Sequence, residues 1–180
     1  MMIRQAGFTL LELLITVIVA IVLMAVAIPS FVNFIESNRV TGLANQMVTA
    51  LNVARSEAIR RVETVELCVF NGDPEDPDCA SDANWARGWV ARVASGDNAG
   101  AVIRVWELDA PAGVTLIRVE SGDSQNVVRY NPMGRVQTLE QGERMLWRAQ
   151  GNRCAAGAAG ARMVEVNRVG RPQAREGTCG

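Results

Sequence analysis

The chain has 180 residues, of which 49% are hydrophobic and 5% aromatic, and its 18 basic and 19 acidic side chains leave a formal net charge of −1. A near-neutral charge excludes a generally basic nucleic-acid binder. Because histidine is absent, Ser-His-Asp and Cys-His catalytic sites and histidine-based zinc sites are excluded, so we expect no enzyme, no metal and no cofactor. Every basic residue is arginine, so an arginine cluster alone does not indicate selection of guanidinium chemistry.

The first predicted element is a membrane-spanning helix. Residues 13–28 contain one hydroxyl and no charge, and the apolar run extends back to Phe8, interrupted only by Thr9 and Glu12. At about 1.5 Å per residue, residues 8–28 span the roughly 30 Å of a bilayer's hydrocarbon layer. The leader ahead of the run is basic, so the positive-inside rule keeps this end in the cytoplasm and places everything after Pro29 outside.

Two other interpretations of this run stay open. Ala25-Val26-Ala27 has the A-x-A form of a secretory cleavage site, and cutting there would release a soluble periplasmic protein. An unprocessed signal anchor explains the hydrophobicity equally well. Neither explains Glu12, because an ionised carboxylate in the apolar layer costs on the order of a few kcal/mol and needs a cationic partner. A newly exposed chain amine would supply that cation.

The string Gly7-Phe8-Thr9-Leu10-Leu11-Glu12, between a basic leader and a long apolar helix, resembles the class III signal of type IV pilins and type II secretion pseudopilins. The resemblance implies that a prepilin peptidase removes residues 1–7 by cutting after Gly7 and N-methylates Phe8. It also implies that Glu12 recruits or aligns each subunit by pairing with the terminal amine of a neighbour. Staggered subunits would then neutralise a carboxylate that is penalised when it is isolated in the membrane.

The helical pattern continues after residue 28. Apolar residues recur at steps of three and four, with polar residues largely between them, so residues 29–61 are predicted to form an amphipathic continuation with one face on a core. One helix over 8–61 would bend at Pro29 and Gly42. The recurring apolar residues are Val40, Leu43, Ala44, Met47, Val48, Leu51, Ala54, Ala58 and Ile59.

Residues 62–180 are predicted to form a β-rich head, which gives the chain an α+β fold. After Arg61 the hydrophobic period changes to two, and short runs rich in valine, isoleucine and tryptophan alternate with turns. Short links favour an antiparallel sheet with the helix packed on one face, as the resemblance to type IV pilins also implies. The predicted strands are 65–70, 88–93, 102–108, 114–119, 127–130, 144–148 and 162–167, and the small-residue stretch 155–161 is a candidate flexible loop.

Four cysteines lie in the segment placed outside the cytoplasm, where disulfides are favoured over thiols. Cys68, Cys79, Cys154 and Cys179 allow three pairings. The local pairing, Cys68 with Cys79 and Cys154 with Cys179, would close an acidic loop and hold the end of the chain, with about 3 kcal/mol from each in the loop-entropy model. No CxxC spacing indicates a zinc or redox site.

The charges of the head are segregated along the chain. Residues 62–82 contain seven acids and no arginine, whereas residues 144–180 contain seven arginines and two glutamates. The acidic loop, residues 73–78, offers oxygens to calcium but lacks the glycine and the spacing of a calcium-loop motif. We therefore expect this loop to be solvated or to contact a neighbouring subunit.

Three further segments carry a resemblance of their own. Residues 85–90 and 130–135 are similar to the head of the GspH/FimT branch of minor pilins and minor pseudopilins, and residues 167–179 resemble the glycine-arginine tail of FimT-type minor pilins, some of which bind DNA. On a disulfide-held loop, these arginines would contact phosphates without reading sequence. The alternative is a solvated basic edge, or one that meets the acidic loop of a neighbouring subunit. The candidate contacts to double-stranded DNA are Arg168, Arg171 and Arg175.

The sequence thus predicts a membrane-anchored minor pilin or pseudopilin that is processed at Gly7 and takes part in priming filament assembly. The resemblance implies other pilin-type subunits, the prepilin peptidase and inner-membrane lipid as partners, with the head in the periplasm. A pilus-tip DNA receptor and a soluble periplasmic binding protein are the alternatives. Type IV pili and secretion pseudopili share the leader, and the basic tail favours the pilus.

Overall fold

The computed structural model describes residues 9–108, 113–119 and 126–180, without the side chain of Pro29. Two compact units divide the chain: one ends at Glu36, and the other, called the head below, comprises Ser37–Gly180. The described elements are α1 (Leu10–Arg61), β1 (Thr64–Val69), a 3₁₀ helix (Trp85–Arg87), β2 (Gly88–Ser95), β3 (Val102–Glu107), β4 (Val114–Arg118), β5 (Val127–Tyr130), β6 (Arg144–Gly151), β7 (Ala159–Asn167) and β8 (Pro172–Thr178).

The part of α1 in the first unit is apolar and exposed. Its large apolar side chains from Leu10 to Phe34 are exposed, except that of Val32, which is partly buried. By length and composition α1 could cross a membrane, a test that a signal sequence near an N-terminus would also pass. No described side chain before Val40 belongs to the buried core, as expected of a segment whose apolar surroundings lie outside the chain.

The part of α1 in the head packs through one apolar face. The predicted positions are buried with two exceptions: Val48 is only partly buried, and Ile59 is 49% exposed. Small side chains dominate this face, which lets the strands approach the helix closely. The buried helix residues are Val40, Leu43, Ala44, Met47, Ala50, Leu51, Ala54 and Ala58.

The strands form two four-stranded antiparallel sheets, in the orders β3-β2-β1-β5 and β4-β6-β7-β8. This confirms the α+β fold with antiparallel strands, but the sequence predicted one sheet. The division arises because β4 leaves the first sheet to pair with β6, whereas β5 returns to pair with β1. One core holds residues of both sheets and of α1.

Two predictions for the last part of the chain are wrong: where β7 begins, and that the residues of β8 form a loop. Strand β7 begins at Ala159, inside the predicted loop 155–161, and pairs with β8, whose residues are predicted to form a loop. The sequence does not indicate β8, because buried and exposed residues do not alternate along it. The strand begins with Pro172 and continues with mostly exposed polar or small residues. Pairing with β7, rather than burial of an apolar face, holds it in place.

Candidate functional site

The start of α1 is capped by a side chain. The backbone N–H of Glu12 donates to Thr9 Oγ1 at 3.2 Å, and that of Leu13 donates to the Thr9 carbonyl at 3.1 Å. Thr9 is therefore the N-cap, and Glu12 lies in the first helical turn, three residues later. The other two residues of the predicted leader site, Gly7 and Phe8, lie outside the described residues. Pro29, the predicted bend, is part of α1.

A buried carboxylate organises the outer face of the first sheet. The side chain of Glu66 on β1 is 4% exposed and accepts from Arg92 Nε on β2 at 2.7 Å and from Arg129 Nε on β5 at 2.9 Å. Arg92 also bonds Asp78 at the end of the acidic loop. The burial of the charged Glu66 carboxylate is compensated by these two guanidinium groups, so the loss of either one would be destabilising. The cluster therefore ties the acidic loop to three neighbouring strands.

The acidic loop is ordered by a disulfide and by hydrogen bonds between side chains and the backbone. The disulfide Cys68–Cys79 closes it. Within it, Asp73 Oδ1 accepts from the backbone N–H of Glu75 at 3.0 Å. Asn71, just before the loop, donates through Nδ2 to the Asp76 carbonyl at 2.8 Å. In turns, such hydrogen bonds satisfy backbone groups that helices and strands would otherwise pair with each other. Among the described residues, no group of three or more His, Cys, Asp or Glu side chains could hold a metal ion.

The second disulfide, Cys154–Cys179, joins the turn after β6 to the residue that follows β8. Four cysteines allow three disulfide pairings, and the structure has the local one, Cys68–Cys79 with Cys154–Cys179. Gln150 continues the attachment, because its side chain accepts from the Gly180 N–H at 3.2 Å and donates to the Gly180 carbonyl at 3.1 Å. Strand β8, which carries Arg175 and follows Arg168 and Arg171, is thus fixed at its far end.

The three candidate arginines differ in their surroundings. Arg175 on β8 pairs with Glu165 on β7 at 3.2 Å. Arg168 lies in the turn between β7 and β8 and Arg171 directly precedes β8; both are exposed, and neither has an ion pair within the described chain. The structure therefore brings Arg168 and Arg171 together at one turn and leaves Arg175 neutralised along the strand.

A second turn lies against this one. Residues 131–135, which follow β5, contact residues 167–171, which join β7 to β8; together they are called the paired-turn surface. The N–H of Val136 donates to the Arg168 carbonyl at 3.1 Å. The glycine at position 170 has φ +82°, and a Cβ there would lie 2.0 Å from the Gly134 carbonyl oxygen. Only glycine permits this approach of the two backbones.

Arg55 of α1 fastens both turns to the helix. Its Nε donates to the Gly134 carbonyl at 3.1 Å and its Nη2 to the Val169 carbonyl at 3.3 Å. Tyr130 is fully buried beside Gly170, and burial raises the pKa of its hydroxyl well above the usual range. In the sequence, Arg55 is one of several polar residues between apolar positions, and no periodic signal distinguishes it from the others.

Arg135 is a further exposed cation of the paired-turn surface, and no motif in the sequence indicates its charge as functional. It follows Gly134 directly and has no ion pair within the described chain. Its charge lies near those of Arg168 and Arg171 only because two turns that are distant in sequence are in contact. The spacing of residues along the sequence does not predict such a contact.

Two family models match the chain. The model described as type II transport protein GspH matches residues 43–170, and the model described as the prokaryotic N-terminal methylation motif matches residues 2–28. No curated protein sequence matches significantly.

Two crystal structures of the type IV minor pilin FimU from Pseudomonas aeruginosa, in different space groups, have the same fold. The first is 18% identical with a TM-score of 0.58 and covers 79% of this chain and 92% of FimU. The second is 17% identical with a TM-score of 0.53 and covers 75% of this chain and 91% of FimU.

Proposed function

The chain belongs to the GspH family of type II transport proteins, and we propose that it is a membrane-anchored minor pilin or pseudopilin that takes part in assembling a type IV pilus or a type II secretion pseudopilus. The order of three segments carries the proposal: a methylation motif, an apolar helix and a GspH head. Such a subunit is structural rather than catalytic, and its partners are other pilin-type subunits.

The anchoring model divides the chain into four parts. A prepilin peptidase removes residues 1–7 after Gly7 and methylates the amine of Phe8. Residues 8–28 then cross the inner membrane, residues 29–61 continue the helix beyond a bend at Pro29, and residues 62–180 form the periplasmic head. The apolar side chains of α1 before Glu36 support the membrane location, because most of them are exposed in the part of the chain that the structure describes.

In this model Glu12 acts between subunits. Its carboxylate is costly in lipid unless a cation compensates it, and the methylated amine of Phe8 in a neighbouring subunit supplies the cation after processing. This pairing would fix the position of each subunit along the filament axis as the subunit leaves the membrane.

The amino terminus of the mature protein tests the proposal. Purified from membranes and sheared filaments of the producing bacterium, the protein should have the mass of a chain that begins at N-methylated Phe8. A mature start at Ile28 would instead indicate a released periplasmic protein, and an intact leader would indicate an unprocessed anchor. Either result would contradict the pilin model.

A variant with Glu12→Ala tests the assembly step. We expect it to be processed and to stay in the membrane fraction while it is lost from sheared filaments. Glu36→Ala serves as the matched control, because it removes a carboxylate from the same helix beyond residues 8–28. Equal entry of the Glu12→Ala variant and the parent into filaments would overturn the role of Glu12.

DNA contact is a second candidate function. It is supported by the exposure of Arg168 and Arg171, which lack ion pairs within the described chain. In this role the head would contact phosphates of double-stranded DNA, with an affinity that falls steeply with salt. Replacing both arginines with glutamine should abolish binding to duplex DNA at low salt, whereas Arg60→Gln on α1 should not. Unchanged binding would eliminate this candidate.

A further inference from the structure

The paired-turn surface combines exposed apolar side chains with cations. Met133 is 77% exposed and Val169 is 61% exposed, and each directly precedes one of the two glycines in contact. An apolar centre with arginines around it is typical of a protein–protein contact site. Three exposed arginines without ion pairs in the described chain belong to the same turns: Arg135, Arg168 and Arg171.

A cleft of about 440 Å³ opens beside this surface. Its lining residues come from 141–144, at the start of β6, and from 165–169, at the end of β7 and in the turn that follows. Arg168 and Val169 belong both to this cleft and to the paired-turn surface. A volume in this range is large enough for a ligand or for a few side chains of a bound polypeptide.

Two guanidinium groups of the cleft are available to a ligand. Glu165 Oε2 lies 3.2 Å from Arg175 Nε but 3.9 Å from Arg144 Nη1, and Gln173 donates to Glu165 Oε1 at 3.1 Å. Glu165 is therefore satisfied without Arg144, whose side chain is 53% exposed. Arg168 has no ion pair within the described chain.

The remaining acid of the cleft does not cancel these charges. Glu143 accepts from the backbone N–H of Glu140 at 2.8 Å, so its carboxylate is used within its own loop. Apart from the pair of Glu165 with Arg175, the cleft and the paired-turn surface contain four arginines and one glutamate. An anionic group is attracted to such a site, and a carboxylate between two guanidinium groups gains charge-assisted hydrogen bonds.

This surface is fixed before any partner arrives. Arg55 bonds both turns, and the glycine contact leaves no space for a side chain between them. A preorganised surface loses less conformational entropy on binding than a mobile loop does. The paired turns are therefore suited to docking a structured partner.

We propose that the cleft and the paired-turn surface together bind an acidic segment of a different pilin-type subunit. A carboxylate of that segment enters the cleft between Arg144 and Arg168, and apolar side chains of the same segment cover Met133 and Val169. The proposal rests on the filament role stated above, and it specifies one surface through which that role is carried out.

The charge pattern favours a different subunit over a second copy of this chain. Two copies that met through this same surface would place arginines against arginines, which is unfavourable. A contact with some other surface of a second copy would be heterologous and would add copies repeatedly. A minor subunit forms only a small part of a filament, so its partner at this surface has to be another chain.

The composition of the surface favours a protein over DNA as its occupant. Arg175, which would extend the cations along β8, is already paired with Glu165. The exposed Met133 and Val169 gain nothing from a phosphate backbone, whereas they would be covered by a protein segment.

Site-specific photo-crosslinking of the full-length chain in the producing bacterium tests the contact. With benzoylphenylalanine in place of Val169, irradiation should join the chain to another pilin-type subunit, and mass spectrometry should locate the attachment in a segment that contains Asp or Glu. The same crosslinker in place of Ala99, on the exposed turn between β2 and β3, is the matched control and should not attach to that segment. Absence of the adduct at position 169, an adduct with a second copy of this chain, equal attachment from position 99, or attachment in a segment without an acidic residue would overturn the proposal.

Charge exchange separates recognition by charge from proximity alone. Arg144→Gln combined with Arg168→Gln should lower the yield of the adduct roughly tenfold, relative to the processed protein in the membrane fraction. Arg60→Gln on α1 should leave the yield unchanged. Both cleft arginines are exposed, so we expect the variant to fold, and an unchanged unfolding temperature verifies this.

Reversal of the charges extends this test. Arg168→Glu should also lower the yield, and arginine in place of the acidic residue in the located segment should then restore much of it. An unchanged yield in the arginine variants, or no restoration, would contradict docking by charge.

Two readouts distinguish this proposal from those above. If the protein starts at methylated Phe8 and enters filaments but gives no adduct at position 169, the docking contact fails and the filament role stands. If the crosslinker at position 169 attaches to nucleic acid, shown by loss of the adduct on nuclease treatment, the surface serves DNA and the proposed docking is overturned.

Discussion

Thr9 gives Glu12 a second physical role beside the pairing between subunits. The Thr9 hydroxyl caps α1, and Glu12 stands three residues later, which is the spacing of a capping box. A carboxylate in the first turn also interacts favourably with the helix dipole. Local helix stability alone could therefore account for an acidic residue at position 12, and the two roles must be separated by substitution.

Glutamine at position 12 separates them. A glutamine preserves the capping-box geometry but carries no charge, so Glu12→Gln should still fail to enter sheared filaments if the amine of a neighbour is the partner. Thr9→Ala should weaken the helix start by about 1 kcal/mol and yet enter filaments. Normal assembly of Glu12→Gln, quantified by immunoblotting of the sheared fraction, would show that capping is the role of this residue.

Glu66 is the residue on which the outer face of the first sheet depends. Glu66→Ala would leave the partly exposed guanidinium groups of Arg92 and Arg129 without their shared buried anion, although Arg92 keeps Asp78. We expect a loss of about 1.5–3 kcal/mol in the free energy of unfolding. Calorimetry of the detergent-solubilised chain measures it. Asp76→Ala, at an exposed position of the acidic loop, should leave stability nearly unchanged. An equally stable Glu66→Ala variant would show that the cluster contributes nothing net.

At the scale of elements, the end of α1 carries local strain. Val62 directly follows the helix with φ 59°, and its side chain is 72% exposed. A β-branched residue in the left-handed region is unfavourable, and glycine is the residue that helices prefer there. Val62→Gly should therefore stabilise the head by about 1 kcal/mol and raise its unfolding temperature. An unchanged or lower temperature in calorimetry would contradict this assignment of strain.

The last turns of α1 contain a pH-dependent ion pair. Hydrogen bonds from Arg60, and then from Arg61, lower the pKa of the Glu57 carboxyl. A lowered pKa means that the ionised form stabilises the folded state above the unfolded-state pKa of about 4.3, and that this stabilisation is lost as the pH falls through the folded-state value. Glu57→Gln should accordingly lower the unfolding temperature at neutral pH but not at pH about 3. A difference that persists at low pH would assign the effect to packing.

Elements with strong apolar periodicity could be predicted from the sequence, whereas those held by pairing could not. Strand β5 has the predicted bounds, because Val128 and Tyr130 face the core that α1 also lines. Strand β8 has no such face. Its position depends on β7 beside it and on the disulfide beyond it, and neither interaction leaves a periodic pattern within residues 172–178.

At the scale of the whole molecule, the same limit applies to the candidate sites. The leader motif is contiguous, so the sequence alone indicates it. The paired-turn surface joins residues 131–135 to residues 167–171 through Arg55, which is 79 positions before one turn's bonded carbonyl and 114 before the other's. Separations of this size are set by sheet order, which the sequence pattern does not determine.

Because of where the tryptophans lie, tryptophan fluorescence reports on the head and not on the membrane-spanning helix. All four belong to the unit Ser37–Gly180, and three of them, Trp85, Trp89 and Trp147, are completely shielded from solvent. The membrane-facing part of the chain contributes no indole emission. Intrinsic fluorescence of the intact protein in a lipid nanodisc therefore follows opening of the head alone, even while α1 keeps its helical structure in the bilayer.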